Sequence, residues 1–343
     1  MSRSQKPPRI QDVAKAAGVS VATVSRAMSN PSIVAEPTRL AVEEAIRQTG
    51  YVLNLTARNL RQQSVGGVLA LVPRLSNPFF SSILSGIAEV LREKDLNLLI
   101  LDTKTDDGPL RPEAIGAYLN RSRADGVIVL DGGLSADLFR QPNCPPVIQA
   151  CEWVGGLDAP RVLADNAEGA RLAIRHLTEL GHRRIAHVTG PAGNSLTVAR
   201  REGVAQGLAK AGLQISDALT VQGNFTLESG RHAAQQILQA TERPTAAFCD
   251  NDLMAIGLMN ELLRAGLRLP RDLSIVGFDN IEMASFTIPA LTTVRQHRTR
   301  IGRHAALALL DAMAGKTCPS EEILPVDLTI RASTSRPGED PAP

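Results

Sequence analysis

Cysteine and aromatic residues are both scarce in this chain. The four cysteines, at 144, 151, 249 and 318, are scattered and form no C-x-x-C pair, which excludes a zinc cluster of ordinary spacing. They read as reduced thiols of a cytoplasmic protein, not as a disulfide framework. The six histidines, at 176, 182, 187, 232, 297 and 304, do not cluster, so no metal centre is expected; His182, just after Gly181, reads as a cap on a helix end. No G-x-G-x-x-G follows a strand pattern, and neither G-x-S-x-G nor H-E-x-x-H occurs. The common dinucleotide-binding, hydrolase and metalloprotease classes therefore lack their signatures, and neither an enzyme nor a cofactor is expected. The N-terminus MSRSQKPPRI has no apolar signal core. No apolar run reaches the roughly 18 residues needed to span a bilayer, so no membrane partner is expected.

The chain has 343 residues, 43% of them hydrophobic, which is too many for one small core and implies two or three domains. The net charge of +2 says little about partners, but its distribution is uneven. Residues 1–63 carry many Arg and Lys and few acids, and a basic arm on a near-neutral body points to nucleic acid. Residues 1–9 read as a disordered arm and 10–53 as three short helices. Ile10, Val13, Ala14 and Ala17 form one helical face, and Gly18 stops it. Ser20 suits the N-cap of a second helix, Val21 to Met28. Pro37 suits the first turn of a third, which carries Leu40, Val42, Ala45 and Ile46 and ends at Gly50. A polar connector, 54–63, follows.

From Gly66 short apolar runs alternate with helical patterns. GGVLALVP, LNLLILD, GVIVLD and PPVIQAC read as buried parallel strands. The alternation restarts after Pro160 with RVLAD, RRIAHVTG, TAAFCD and LSIVGFD. Two doubly wound α/β lobes follow, and RPGEDPAP at 336–343 reads as a disordered tail.

Two short helices joined by a Gly-containing turn are the sequence form of a helix–turn–helix. The second helix has small residues and can sit deep in a major groove. Ser20, Thr23 and Ser25 can donate to phosphates or base edges, and Arg26 can contact guanine O6 and N7 through two hydrogen bonds. The run D-V-A-x-x-A-G-V-S-x-x-T-V-S-R, followed by G-Y-x-x-N and A-R-x-L, resembles the headpiece of the LacI/GalR family of bacterial transcriptional regulators. The resemblance extends over nearly the whole chain. It implies an all-α helix–turn–helix headpiece and a two-lobed, periplasmic-binding-protein-like α/β effector domain, 64–335, with two doubly wound parallel sheets. One lobe would take about 64–162 and 293–322, the other about 163–292 and 323–335.

The resemblance also implies roles. Val21 and Ala22 take the base-reading positions that open the recognition helix, and Arg26 takes the position of the base-reading arginine. Tyr51 and Asn54 fall where the family contacts the DNA backbone and hinge; Thr38 is counted in the DNA-facing set. Ala35 replaces a serine that often donates to phosphate. The connector becomes a hinge helix, with Leu60 as the minor-groove wedge and Ala57 beside it. A segment so short does not persist as an isolated helix, and a wedge kinks DNA only where contacts on both sides repay the unstacking.

Open α/β sheets bind ligands beyond the carboxyl ends of their strands. Phe79, Phe80, Arg200, Phe225, Asn251, Asp252 and Asp279 fall there. By resemblance, Arg200 and Asp279 bond sugar hydroxyls, while Phe79 and Phe225 stack on an effector ring. Asp252 is either a ligand contact or a helix N-terminal charge. The stretches ACEWVGG, GNFTLESG, PTAAFCDND and IRAST are most similar to the cytidine repressor branch, which makes Glu152 a base-edge acceptor. Cys151 stands where purine-binding relatives have aspartate. The reading is a cytoplasmic, effector-responsive regulator, a homodimer on double-stranded operator DNA. Its effector is a nucleoside, with pentose or nucleobase as alternatives. A solute-binding protein, the rival from another class, would need a signal peptide and no helix–turn–helix.

Overall fold

The computed structural model describes residues 8–51, 64–105 and 108–339. It divides into two compact units, Met1–Gln63 and Ser64–Pro343. The first contains α1 (Ile10–Ala17), α2 (Val21–Ser29) and α3 (Glu36–Thr49). Gly18 ends α1 in the left-handed conformation (φ 65°), its N–H reaching the carbonyls of Ala14 and Lys15, a conformation that costs glycine nothing. Two residues on, Ser20 Oγ accepts the Thr23 N–H at 3.1 Å and caps α2. A small core of Val13, Ala14, Val24, Ala27, Val42 and Ala45 joins the three helices, with Tyr51 packed partly against it. Leu40, expected on the apolar face of α3, is half exposed; two residues from Val42, it lies roughly 200° around the helix.

The second unit runs β1 (Gly67–Val72), α4 (Phe79–Arg92), β2 (Asn97–Asp102), β3 (Lys104–Thr105), β4 (Gly108–Pro109), α5 (Pro112–Gly116), β5 (Gly126–Val129), β6 (Val147–Ala150) and β7 (Arg161–Ala164). It continues through α6 (Asn166–Glu179), β8 (Ile185–Thr189), α7 (Ser195–Lys210), β9 (Thr220–Gln222), α8 (Leu227–Gln239), β10 (Ala246–Cys249), α9 (Asp252–Arg264) and β11 (Ser274–Asp279). The last elements are β12 (Thr292–Gln296), α10 (Arg298–Met313), β13 (Glu321–Leu324) and β14 (Val326–Thr329). One sheet has the order β13-β7-β6-β5-β1-β2 and is wholly parallel. The other has the order β14-β12-β11-β10-β8-β9. It is parallel except at its edge, where β14 runs antiparallel to β12.

The chain crosses between sheets three times, after β7, β12 and β13. These crossings follow Ala164, Gln296 and Leu324, two to four residues later than the expected lobe limits. Each expected limit cut a strand that stays whole: β12, for instance, keeps its pairing with β11 through Arg295. Immediately after it, α10 is pressed onto α4, where a Cβ on Gly302 would lie 2.0 Å from the Ile83 carbonyl oxygen.

Two local expectations fail for clear reasons. The LNLLILD strand, β2, is not buried: Leu99 and Ile100 are 41% and 44% exposed. It is an edge strand with β1 as its one neighbour, so apolar composition alone does not place it inside. The His182 ring does not cap its helix. It bonds Thr245 Oγ1 at 3.0 Å and the Ser335 carbonyl at 2.9 Å, and the backbone N–H of His182 bonds the Leu177 carbonyl instead. Among the described residues no helix is long and apolar enough to cross a membrane.

Candidate functional site

In the first unit, α2 turns Val24 and Ala27 inward and leaves Val21, Ala22 and Arg26 exposed, with Thr23 and Ser25 at the margin. The 3.6-residue period alone produces this division. Arg26 donates through Nε to the Ala22 carbonyl at 3.3 Å. Its two Nη groups keep their donors free of the described residues, whereas Arg39 and Arg47 of α3 are committed to Glu43 and Glu44. The Ser20 and Thr23 hydroxyls bond one another at 2.9 Å. Thr38 and Tyr51 are half-buried. Asn54, Ala57 and Leu60 lie outside the described residues.

In the second unit, seven of the eight residues expected to touch an effector line a single cavity: Phe79, Phe80, Glu152, Arg200, Phe225, Asn251 and Asp279. Its volume is about 40 Å³, far below the roughly 300–1,000 Å³ of ordinary small-molecule sites, so a ligand must widen it on entering. Asn77 and Leu196 also line it and were missed by sequence reasoning. Asn77 sits in the same β1–α4 loop as Phe79 and accepts the Phe79 N–H at 3.0 Å, so that loop was the available signal; Leu196 carried none. The lining comes from the carboxyl ends of β1, β6, β9, β10 and β11 and from the first turns of α7, where helix-covered parallel strands leave a crevice.

Arg200 is the most enclosed of these side chains. It is 1% exposed, and its guanidinium carbon lies 3.8 Å from the centroid of the Phe278 ring. Nε donates to Asn166 Oδ1 at 2.9 Å, and Nη1 donates to the Asp250 carbonyl. Nη2 has no hydrogen-bond partner among the described residues and stands 4.0 Å from Asp279 Oδ1. A buried donor without a partner is costly and suits a hydroxyl or carbonyl arriving with a ligand. Asp279 takes a hydrogen bond from Gln296 Nε2 at 2.8 Å on Oδ1, and no described residue donates to its Oδ2. Burial pushes its pKa from 3.8 to about 6, against the pull of Arg200 and Arg298.

Phe79 and Phe80 meet edge to face, centroids 5.1 Å apart. Phe225 adopts a left-handed backbone (φ 64°), held by Asn251 Nδ2 donating to its carbonyl at 3.1 Å. Its ring rests on Gly190, where a Cβ would come within 2.2 Å of it. Cys151 (φ 57°) and Asp279 (φ 118°) share this unfavourable half of backbone space. Strain of about 1–3 kcal/mol per residue persists where surroundings enforce it and concentrates at binding sites. Glu152, after Cys151, is buried, and burial followed by the Asp131 charge raises its pKa.

Asp252 falls outside the cavity. Thr293 Oγ1 donates to its Oδ1 at 2.5 Å and the Ile281 N–H to its Oδ2 at 2.9 Å, so both oxygens are spent within the protein. Of the two roles left open for it, the ligand contact does not fit; Asp252 sits in the first turn of α9, where burial, followed by the Asp279 charge, raises its pKa well above the ordinary value. Arg298 ties the rims together: it donates to the Pro78 and Phe79 carbonyls and to that of Asn280 at 3.0–3.3 Å. Among the described residues no group of His, Cys, Asp or Glu could hold a metal ion.

A model of the bacterial regulatory proteins of the lacI family matches residues 9–54. The HTH-type transcriptional repressor CytR of Escherichia coli (strain K12) is 38% identical over 328 residues, which cover 95% of this chain and 96% of that protein. The chain belongs to the LacI family. A periplasmic binding protein-like domain matches residues 174–334. Among solved structures, the lac repressor dimer bound to operator and the anti-inducer ONPF is 27% identical, with a TM-score of 0.83, over 96% of this chain and 100% of that one. A LacI family regulator from Enterococcus faecium with bound ribose is 29% identical, with a TM-score of 0.70, over 79% and 99%. This LacI-family chain is therefore a DNA-binding transcriptional repressor, not an enzyme. Its helix–turn–helix lies in the first unit and its two-lobed α/β domain is the second.

Proposed function

We propose that this repressor binds a nucleoside in the cavity of its second unit and a pseudo-palindromic operator as a dimer. The observation that carries the effector reading is the unpartnered Arg200 Nη2 beside the open Oδ2 of Asp279, walled by Phe79, Phe80 and Phe225. A donor and an acceptor side by side match the vicinal hydroxyls of a ribose. The aromatic walls match a flat base, and a ring stacked on them adds about 0.5–1.5 kcal/mol beyond burial. The likeness to the ribose-bound neighbour supports a ribose-bearing ligand. A pentose alone is the second reading, favoured by the small volume. Calorimetry with cytidine, adenosine and ribose separates them: free ribose binding as tightly as every nucleoside replaces the nucleoside with a pentose.

On DNA, Val21, Ala22 and Arg26 are the base-facing residues of this reading, with Ser20, Thr23, Ser25, Thr38 and Tyr51 toward the backbone. Asn54, Ala57 and Leu60 serve the hinge. One three-helix module reads few bases, and two modules on symmetric half-sites supply usable specificity. The exposed apolar edge at Leu99 and Ile100, and Phe286 and Ile288 at 77% and 87% exposure, supply surface for a second copy. Sedimentation at micromolar concentration tests this; a monomer that still binds operator sequence-specifically would refute it.

A further inference from the structure

We infer that Glu152 selects among ligands of the cavity, favouring a base that presents an amino group over its oxo counterpart. The inference rests on the nucleoside reading above. Glu152 stands at the carboxyl end of the first sheet, and its two oxygens are not equivalent. Oε2 accepts the Gly132 N–H at 3.1 Å and Asn194 Nδ2 at 3.1 Å. Oε1 accepts nothing from the described residues, although the side chain lines the cavity and is only 8% exposed. Lys104, whose charge acts on Glu152, is already engaged: its Nζ bonds Asp131 Oδ1 at 2.9 Å, and Thr103 Oγ1 donates to Asp131 Oδ2 at 2.6 Å.

Burial and Asp131 favour the neutral form of Glu152, while the Gly132 and Asn194 donors and the Lys104 charge favour the ionised one; where Glu152 is ionised, Oε1 only accepts. A ligand that dries the cavity must therefore bring a donor to Oε1 or leave a charged acceptor unpaired. An exocyclic amine supplies two N–H groups. A ring carbonyl at the same place sets lone pairs against the carboxylate. The discrimination thus follows from hydrogen-bond polarity, not from shape, because amino and oxo bases differ little in size.

The other oxygen has a different task. Asn194 caps α7 in the second lobe, while Glu152 and Gly132 belong to the first, so Oε2 ties the two lobes across the cavity mouth. A residue that only ties the lobes would affect every ligand alike. A residue that reads the ligand changes the ratio between ligands.

Titration calorimetry on the full chain, with cytidine against uridine and adenosine against inosine, separates these roles. The wild type is expected to bind the amino member of each pair at least about tenfold more tightly, the scale of one hydrogen bond to a charged group. Glu152→Gln should collapse both ratios to within roughly threefold, and Asn194→Ala should weaken all four ligands by a common factor and leave the ratios intact. Equal wild-type binding within each pair overturns the inference and leaves the nucleoside reading standing. A common loss on Glu152→Gln with unchanged ratios overturns it as well. If no nucleoside binds, both readings fall together.

Discussion

Asp279→Asn should make the effector domain more stable and its cavity less competent. In the folded chain the Asp279 carboxyl is 5% exposed. Burial, the dominant influence, lifts its pKa from 3.8 to about 6 over the opposing pull of Arg200, Arg298 and Gln296. Between about pH 4 and pH 6 the folded protein therefore holds a proton that the unfolded chain has released. Stability falls as pH rises through that window, and the full cost persists above it. Two pKa units correspond to about 3 kcal/mol. Asparagine cannot ionise, and its Oδ1 can keep the Gln296 hydrogen bond. At pH 7.5 the ligand-free variant should be more stable by up to about 3 kcal/mol, a rise of several degrees in melting temperature for a domain of this size. The advantage should fade below about pH 4, where the wild-type carboxyl is neutral in both states. Ligand binding should move the other way: the open Oδ2 becomes an Nδ2 donor, and a hydroxyl that donated to it loses its acceptor, a weakening of about tenfold or more. Thermal midpoints of both proteins from pH 4 to 8, with calorimetry at pH 7.5, measure all of this. A variant less stable at pH 7.5, or a stability difference independent of pH, would refute the reasoning.

Arg26→Ala should cost roughly 1–3 kcal/mol on a selected operator and far less on scrambled DNA, if the arginine reads guanine; equal losses in gel shifts would reduce it to a phosphate contact. Phe225→Ala should weaken nucleoside binding by at least about tenfold through lost stacking, without changing ligand-free operator affinity. Arg298→Met strips the Pro78, Phe79 and Asn280 carbonyls of a donor, at about 1–3 kcal/mol. It also removes a charge that lowers the Asp279 pKa, so the pH at which stability falls should move above about 6. Cytidine 5′-monophosphate should bind more weakly than cytidine, because Glu152 and Asp279 face the cavity with Arg200 as its one lining cation among the described residues; tighter binding would contradict the charge balance.

The helices of the headpiece were legible because their signals are local: Ser20 as a cap, Gly18 and Gly50 as stops, and a 3.6-residue period between them. The strands marked by apolar runs were legible too. β3, β4, β9, β12, β13 and β14 were not: the first three are two or three residues long, and Thr292–Gln296 and Glu321–Thr329 break up their apolar residues with threonine, charge or proline. The burial of β2 was misjudged because strand order, not composition, decides which strand is an edge. At the cavity, strand-end position and resemblance located Phe79, Arg200 and Asp279. Neither could reveal that Arg200 keeps one nitrogen unpartnered, or that Cys151, Phe225 and Asp279 sit at positive φ. Those facts arise from contacts between residues far apart in the chain, such as Asn166 and Asp250 around one guanidinium.

The three crossings between the sheets govern the order in which the protein can become complete as it is made. The first sheet is built from strands within residues 67–164 and then waits for β13, residues 321–324. At roughly 5–20 residues per second, its edge stays open for roughly 10–30 s of synthesis, while the DNA-facing helices have long since left the ribosome. A chain terminated before residue 321 would carry a recognition helix with neither lobe finished, leaving β7 and β12 as raw edges that invite pairing with other chains. Such fragments should aggregate or be degraded rather than persist as unregulated repressors, so the placement of β13 and β14 at the end of the chain ties DNA occupancy to a fully translated effector domain.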